Sequence, residues 1–249
     1  MVAVVTGASR GLGAGLASVF AAEGMGLGLC ARTRPVAPVG SRAVAAALDV
    51  TDAGAMEAFA VAVVDRLGRI DLWVNNAGIL GPIGPLADAD PTSLRRTVDV
   101  NVLGVLHGSA AFARHVRSRT GGGVLVNMSS GAATRPYEGW AAYCASKAAL
   151  DMATEVAALE ERGSGLRAYA LSPGLVDTGM QDLFRSTPIE RVPPVERFRR
   201  AHREGEFNSA QWVARYILDE LMPAAPAGIA GGGAGAVRRR VPEEPGRGR

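Results

Sequence analysis

The feature that most constrains the fold lies at the amino terminus. Val2-Ala3-Val4-Val5 runs directly into Thr6-Gly7-Ala8-Ser9-Arg10-Gly11-Leu12-Gly13, and then into an amphipathic stretch, residues 14–23. A short, unbroken apolar run is the mark of a strand covered on both faces in a parallel sheet. A glycine-rich turn between such a strand and a helix lets the backbone approach a pyrophosphate, which the free N–H groups of the helix start receive. The spacing is G-x-x-x-G-x-G, not G-x-G-x-x-G. A glycine cluster alone is equally an ordinary tight turn; the strand before it and the helix after it favour dinucleotide binding. The expected fold is therefore α/β, a single-domain, Rossmann-type, doubly wound parallel sheet with helices on both faces.

The chain beyond this turn keeps the alternation. A second strand over 26–31 ends at Arg32, and no carboxylate occurs from 25 through 48. An acidic residue about twenty positions past the glycine turn would bind the ribose 2′-hydroxyl of NAD, whereas arginine meets the 2′-phosphate of NADP. Arg10 in the loop and Arg32 after the strand thus point to NADP(H). Pro35, Pro38 and Gly40 argue against a regular helix over 33–41. A third strand over 42–48 is closed by Asp49-Val50; Thr51-Asp52 then caps a helix to about 67. A fourth strand over 71–74 leads into Asn75-Asn76-Ala77-Gly78, small residues that suit close approach of a cofactor, with asparagines able to tie neighbouring strands. A long helix over 92–118 carries Asn101 inside it, a poor helix former that would bend the helix or expose a carbonyl.

The chemistry centres on residues 130–147. A buried strand over 124–128 ends in hydroxyls at Ser129 and Ser130, and a helix is expected over 140–161, with Tyr143 and Lys147 one turn apart on one face. A free phenol titrates near ~10, and a neighbouring cation pulls that value down, so Tyr143 can act as a general acid or base. A sixth strand over 166–171 ends at Ser172-Pro173-Gly174-Leu175-Val176-Asp177-Thr178, again at the strand end where an open parallel sheet keeps its crevice. Residues 179–206 read as an irregular, mobile cover. Tyr137, Trp140, Met180, Leu183 and Phe184, with Ser130 and Tyr143, form the candidate substrate pocket, a mainly apolar lining suited to a bulky carbonyl compound. Ser209 caps a last helix to about 222. Residues 1–237 are expected to form the domain, with one poor strand near 228–237, and 238–249 a disordered Arg/Pro/Gly tail.

Composition narrows the function further. With 48% apolar residues the chain can bury a full core, while its net charge of +3 and 5% aromatic content give no nucleic-acid footprint. Cys30 and Cys144 stand 114 positions apart without metal-ligand spacing, so no metal is expected, and two free thiols fit a cytoplasmic protein. The first strand begins at Val2, with no room for a signal peptide, and no apolar run reaches membrane-spanning length.

These motifs together resemble the short-chain dehydrogenase/reductase family, over roughly residues 2–222. Its glycine motif corresponds to Thr6, Gly7, Gly11 and Gly13, its adenine-side Asp to Asp49, and its N-N-A-G to residues 75–78. The resemblance implies a catalytic tetrad of Asn101, Ser130, Tyr143 and Lys147, with Ser130 preferred to Ser129 by its spacing from the tyrosine. It also implies cofactor contacts from Gly7, Ser9, Arg10, Gly11, Leu12, Gly13, Arg32, Asp49, Val50, Asn76, Ala77, Gly78, Pro173, Gly174, Val176 and Thr178, besides Tyr143 and Lys147. Within the family, GWAAYCASKAALDM and PGLVDTGMQ look particularly like sepiapterin reductase and its bacterial relatives, some of which reduce aromatic diketones. No Asp or Glu occurs from 221 through 242, where sepiapterin reductases keep the carboxylate that anchors the pterin. The implied activity is NADPH-dependent carbonyl reduction, with pterin reduction as the alternative and a non-catalytic NADP(H)-sensing regulator as the reading from another class. The family also implies a homodimer or homotetramer through the helices over 92–118 and 140–161, where Ala142, Ala145, Ala149 and Ala153 permit close packing.

Overall fold

The computed structural model describes residues 1–189, 192, 195–223 and 237–247. Seven parallel strands form one sheet: β1 (Val2–Thr6), β2 (Gly26–Ala31), β3 (Ala43–Ala47), β4 (Leu72–Asn75), β5 (Gly123–Met128), β6 (Leu166–Ser172) and β7 (Arg238–Arg240), in the spatial order β3-β2-β1-β4-β5-β6-β7. The order reverses between β1 and β4, and the crevice at such a reversal is where an open α/β sheet binds its ligand. The continuous apolar reading of the first strand holds, since every residue of β1 is buried.

The helices are α1 (Gly11–Ala22), α2 (Ala53–Leu67), α3 (Pro91–Val98), α4 (Gly104–Arg117), α5 (Ala141–Glu160), α6 (Gly179–Arg185), α7 (Val195–Arg203) and α8 (Ala210–Tyr216). On one face, Leu16 and Phe20 of α1 and Val213 of α8 pack on Val5, Leu29 and Val126. On the other, Met56 and Phe59 of α2 and Phe112 of α4 pack on Val4, Trp73 and Leu125. Capping follows the sequence signals: Asp52 accepts from the Ala55 N–H at 2.9 Å, and Ser209 from Trp212 at 3.0 Å.

Three expectations need correction. The long helix over 92–118 is interrupted by a π turn, Asp99–Leu103, with Asn101 at its centre. Such turns concentrate at functional sites because the wider turn redirects the side chains on it. The cover over 179–206 holds two helices, because Met180 and Phe184 share one side of α6, and Val195, Phe198 and Ala201 are spaced to share one side of α7 among its arginines. The expected strand over 228–237 falls almost wholly outside the described residues. The seventh strand is instead the arginine run Arg238–Arg240, pairing Ala170 with Arg238 and Ser172 with Arg240. Residues beyond it are also anchored rather than disordered as far as 247: the Trp212 indole donates to the Pro242 carbonyl at 2.9 Å, and Asn208 accepts from the Glu244 N–H at 2.9 Å.

Candidate active site

The strand ends meet in a cleft of about 910 Å³ that all the expected cofactor contacts line. Its floor is the glycine turn. Gly7 takes φ +67°, and a Cβ on Gly13 would stand 2.4 Å from the Gly7 carbonyl oxygen, so the turn tolerates no side chain there. The Arg10 N-cap of α1 supplies no side-chain acceptor, unlike the caps of α2, α3 and α8, which leaves the first N–H groups of α1 available to an anion. Asn76 fastens the turn to β4, donating to the Thr6 carbonyl at 2.9 Å, while Asn75 ties β4 to β5 through Asn127 at 2.9 Å.

At the far end, Arg10 and Arg32 line the cleft, and neither has a hydrogen bond or ion pair among the described residues. Asp49 accepts from Thr51 and from Arg96, the latter at 2.7 Å. Partial burial opposes its ionisation, but Arg96 and Thr51 prevail and hold the carboxyl below its ordinary range. Arg96 also lines the cleft and was not singled out from sequence; only the folded chain brings it 47 positions back to Asp49.

Ser130 and Tyr143 both line the cleft, and the serine hydroxyl acts on the phenol. Burial pushes the Tyr143 phenol up to about 12, and the hydrogen bond with Ser130 pulls it back. The expected downward pull from Lys147 is not what the structure shows. The Lys147 Nζ donates to the Met128 carbonyl at 2.6 Å and stands 5.6 Å from the centroid of the Tyr143 ring. Ser129, the other candidate hydroxyl, donates instead to Asp151. Asn101 is fully buried and does not line the cleft: its amide accepts from the Ile79 N–H and donates to the Ile79 carbonyl, each at 2.8 Å, and donates to Ser146 at 3.0 Å. It secures the segment after Gly78, within reach of the lysine, rather than facing the cleft.

The substrate half is an aromatic box. Trp140 stacks on Tyr137 at 5.0 Å between ring centroids and meets Tyr143 edge-on at 5.6 Å, Phe184 at 4.5 Å and Phe198 at 5.3 Å. Met180 lines it too, whereas Leu183 does not: it is 54% exposed, because it sits about 100° round the helix from Phe184. Phe198 and Gln181 join the lining from the cover helices, and Arg135 and Arg197 stand at its exposed rim. The Trp140 Nε1 and the Gln181 Oε1 are buried without a hydrogen-bond partner. Buried polar atoms are nearly always paired, so these two are exceptions among the described residues of the site.

The arrangement of glycine turn, switch-point cleft and Ser-Tyr-Lys cluster defines a nicotinamide-dependent oxidoreductase of the Rossmann class. The short chain dehydrogenase profile matches residues 1–188, and the chain belongs to that family. It is 38% identical over 181 residues to galactitol 2-dehydrogenase of Agrobacterium fabrum, spanning 71% of this chain and 70% of the relative. It is 30% identical over 231 residues to the (S)-benzoin-forming benzil reductase of Bacillus cereus, spanning 88% and 92%. The crystal structure of the KRED1-Pglu enzyme superposes with a TM-score of 0.81 at 30% identity, covering 92% of this chain and 97% of the other. Solved neighbours include a Burkholderia cenocepacia short chain dehydrogenase in complex with NADP (27%, TM-score 0.75, coverage 97% and 87%) and one from Burkholderia phymatum in complex with NAD (25%, 0.77, 96% and 87%).

Proposed function

We propose that the protein is an NADPH-dependent reductase of bulky, largely apolar ketones or 1,2-diketones. The observation that carries this reading is the placement of the Ser130–Tyr143 pair, with Lys147 behind it, between the glycine-turn cleft and the aromatic box. The cleft residues from Gly7 to Gly13, with Arg32 and Lys147, would hold NADPH, which when bound would supply the hydride for the carbonyl carbon. Tyr143 gives its phenolic proton to the oxygen as negative charge develops there, and Ser130 donates a hydrogen bond to the same oxygen. Lys147 would hold positive charge beside the phenol and would be the residue to hold the nicotinamide ribose. Asn101, through Ile79, would fix the segment after Gly78 that lines the cleft near Lys147. The overall change is carbonyl plus NADPH plus a proton to alcohol plus NADP⁺.

Preference for NADPH is supported by Arg10 and Arg32, two unpartnered guanidinium groups in a cleft end whose one carboxylate, Asp49, is already held by Arg96. An apolar substrate is supported by the box around Trp140 and by the benzil reductase relative. A pterin fits less well. Among the described residues lining the cleft, the carboxylates are Asp49 and Asp151, and both are paired. A homo-oligomer is supported by the exposed face of α5, where Ala145, Ala149, Met152, Val156 and Leu159 recur at helical spacing, uncovered by any of the described residues. Purified protein mixed with NADPH and a panel containing a diaryl diketone, an aliphatic ketone and sepiapterin tests the reading through loss of nicotinamide absorbance. The diketone should give the highest kcat/KM; turnover of none of them, or a clear win for sepiapterin, overturns it.

A further inference from the structure

The arginine run near the carboxyl terminus is an edge strand of the sheet, and its first member reaches the catalytic helix. Arg238 Nε lies 2.9 Å from Glu155 and 3.4 Å from Asp151. Asp151 is 3% exposed and sits one helical turn beyond Lys147 on α5. Its other oxygen accepts from the Ser129 hydroxyl at the end of β5. A buried carboxylate is retained only where hydrogen bonds and opposite charge offset its desolvation. Asp151 has one hydrogen-bond donor, one guanidinium at salt-bridge distance and the Lys147 ammonium a turn away, and neither Asp151 nor Arg238 has a part in the mechanism so far.

We propose that Asp151 is a positioning residue for Lys147, holding its ammonium charged beside Tyr143, and that Arg238 of β7 holds Asp151 in turn. The carboxyl-terminal strand is then the last piece of the active site. The charges that act on Asp151 are Lys147 and Glu155 from its own helix and Arg238 from β7. Around Lys147, β5 contributes the Met128 carbonyl, and the helix contributes Tyr143 and Asp151. Burial drives Lys147 down to about 8, and Asp151 pulls it back up. Burial raises the Asp151 carboxyl above its ordinary value, and Ser129, Arg238 and Lys147 lower it. Without Asp151, Lys147 would shed its proton at a lower pH, and the alkaline side of the activity profile would be lost first. The inference rests on the catalytic role given to Lys147 under the proposed function.

Lys147 is the only lysine among 249 residues, so full-length protein labelled with ¹³Cε-lysine gives one side-chain signal. In the wild type that signal should show a main titration step from Lys147 and a small acid step from Asp151. Asp151→Asn should move the main step down by about one pH unit or more, abolish the acid step and move the alkaline limb of kcat with it. Arg238→Met, at a half-exposed edge position, should move the acid step up. An Asp151→Asn protein that loses thermal stability but keeps its main step in place overturns the proposal and leaves Asp151 a structural residue. Should that variant not fold, an unmoved acid step in Arg238→Met overturns it equally. The lysine signal is read without turnover. Expected shifts in a protein that reduces no carbonyl compound would therefore sink the catalytic reading while leaving the Asp151–Lys147 pairing intact.

Discussion

Tyr143 is held neutral by its surroundings: burial keeps the phenol protonated, and Ser130 only partly offsets this. Removing only the hydroxyl separates proton transfer from binding. Tyr143→Phe should bind NADPH with little change and lose about a hundredfold or more in kcat, as stopped-flow hydride transfer and fluorescence titration would show. At the opposite end of the cleft Arg32 has no partner among the described residues. Arg32→Ala should weaken NADPH by about tenfold or more and leave NADH nearly unaffected, since a charge-assisted contact is worth about 1.5–3 kcal/mol. Equal losses for the two cofactors in isothermal titration would remove Arg32 from the phosphate site. That both line one cleft was legible in the sequence, Arg32 from its place at the end of β2 and Tyr143 from the lysine one turn on and the serine thirteen residues before it. Leu183 was misjudged because a short helix turns one apolar residue away from the pocket its neighbours line, and only its axis decides which.

Elements differ in how plainly the sequence announces them. The strands of the parallel sheet are short apolar runs buried on both faces, and the caps at Asp52 and Ser209 are local chemistry, so both could be read. The π turn at Asp99–Leu103 could be suspected only through Asn101, because the asparagine's partner, Ile79, lies 22 positions away. Helix α7 was hidden by its charge, and β7 by three arginines that no rule of strand propensity favours. Its place depends on an edge of β6 and on Asp151 and Glu155, contacts that exist only after folding. Helix α5 carries the element-scale prediction. Met152 is 55% exposed in the middle of its apolar face, so Met152→Glu should lower the light-scattering mass from an oligomer to a monomer. A wild-type protein that is monomeric at every concentration would refute the interface.

At the scale of the whole molecule, the cleft divides the sheet at its reversal between β1 and β4. Residues of β1, β2, β4, β5 and β6, or of the loops that follow them, line one cavity. A dinucleotide bound there joins both halves, and binding only the folded chain stabilises it. At NADPH one hundred times its dissociation constant the gain should be about 2.7 kcal/mol, seen as a rise in Tm that grows with cofactor concentration. A Tm indifferent to NADPH and to NADH would place the cofactor elsewhere. The single lysine gives the molecule one further property. Lys147 is 5% exposed, and all 26 other basic side chains of the Lys+Arg set are arginines. Acylating reagents that decorate most proteins at many points would find two amines here, the terminal α-amine outside and Lys147 inside the cleft. Attachment to a bulky support through amines would thus be single-point and oriented, and a second acyl group in the mass spectrum would count the molecules whose cleft lysine a small reagent had reached.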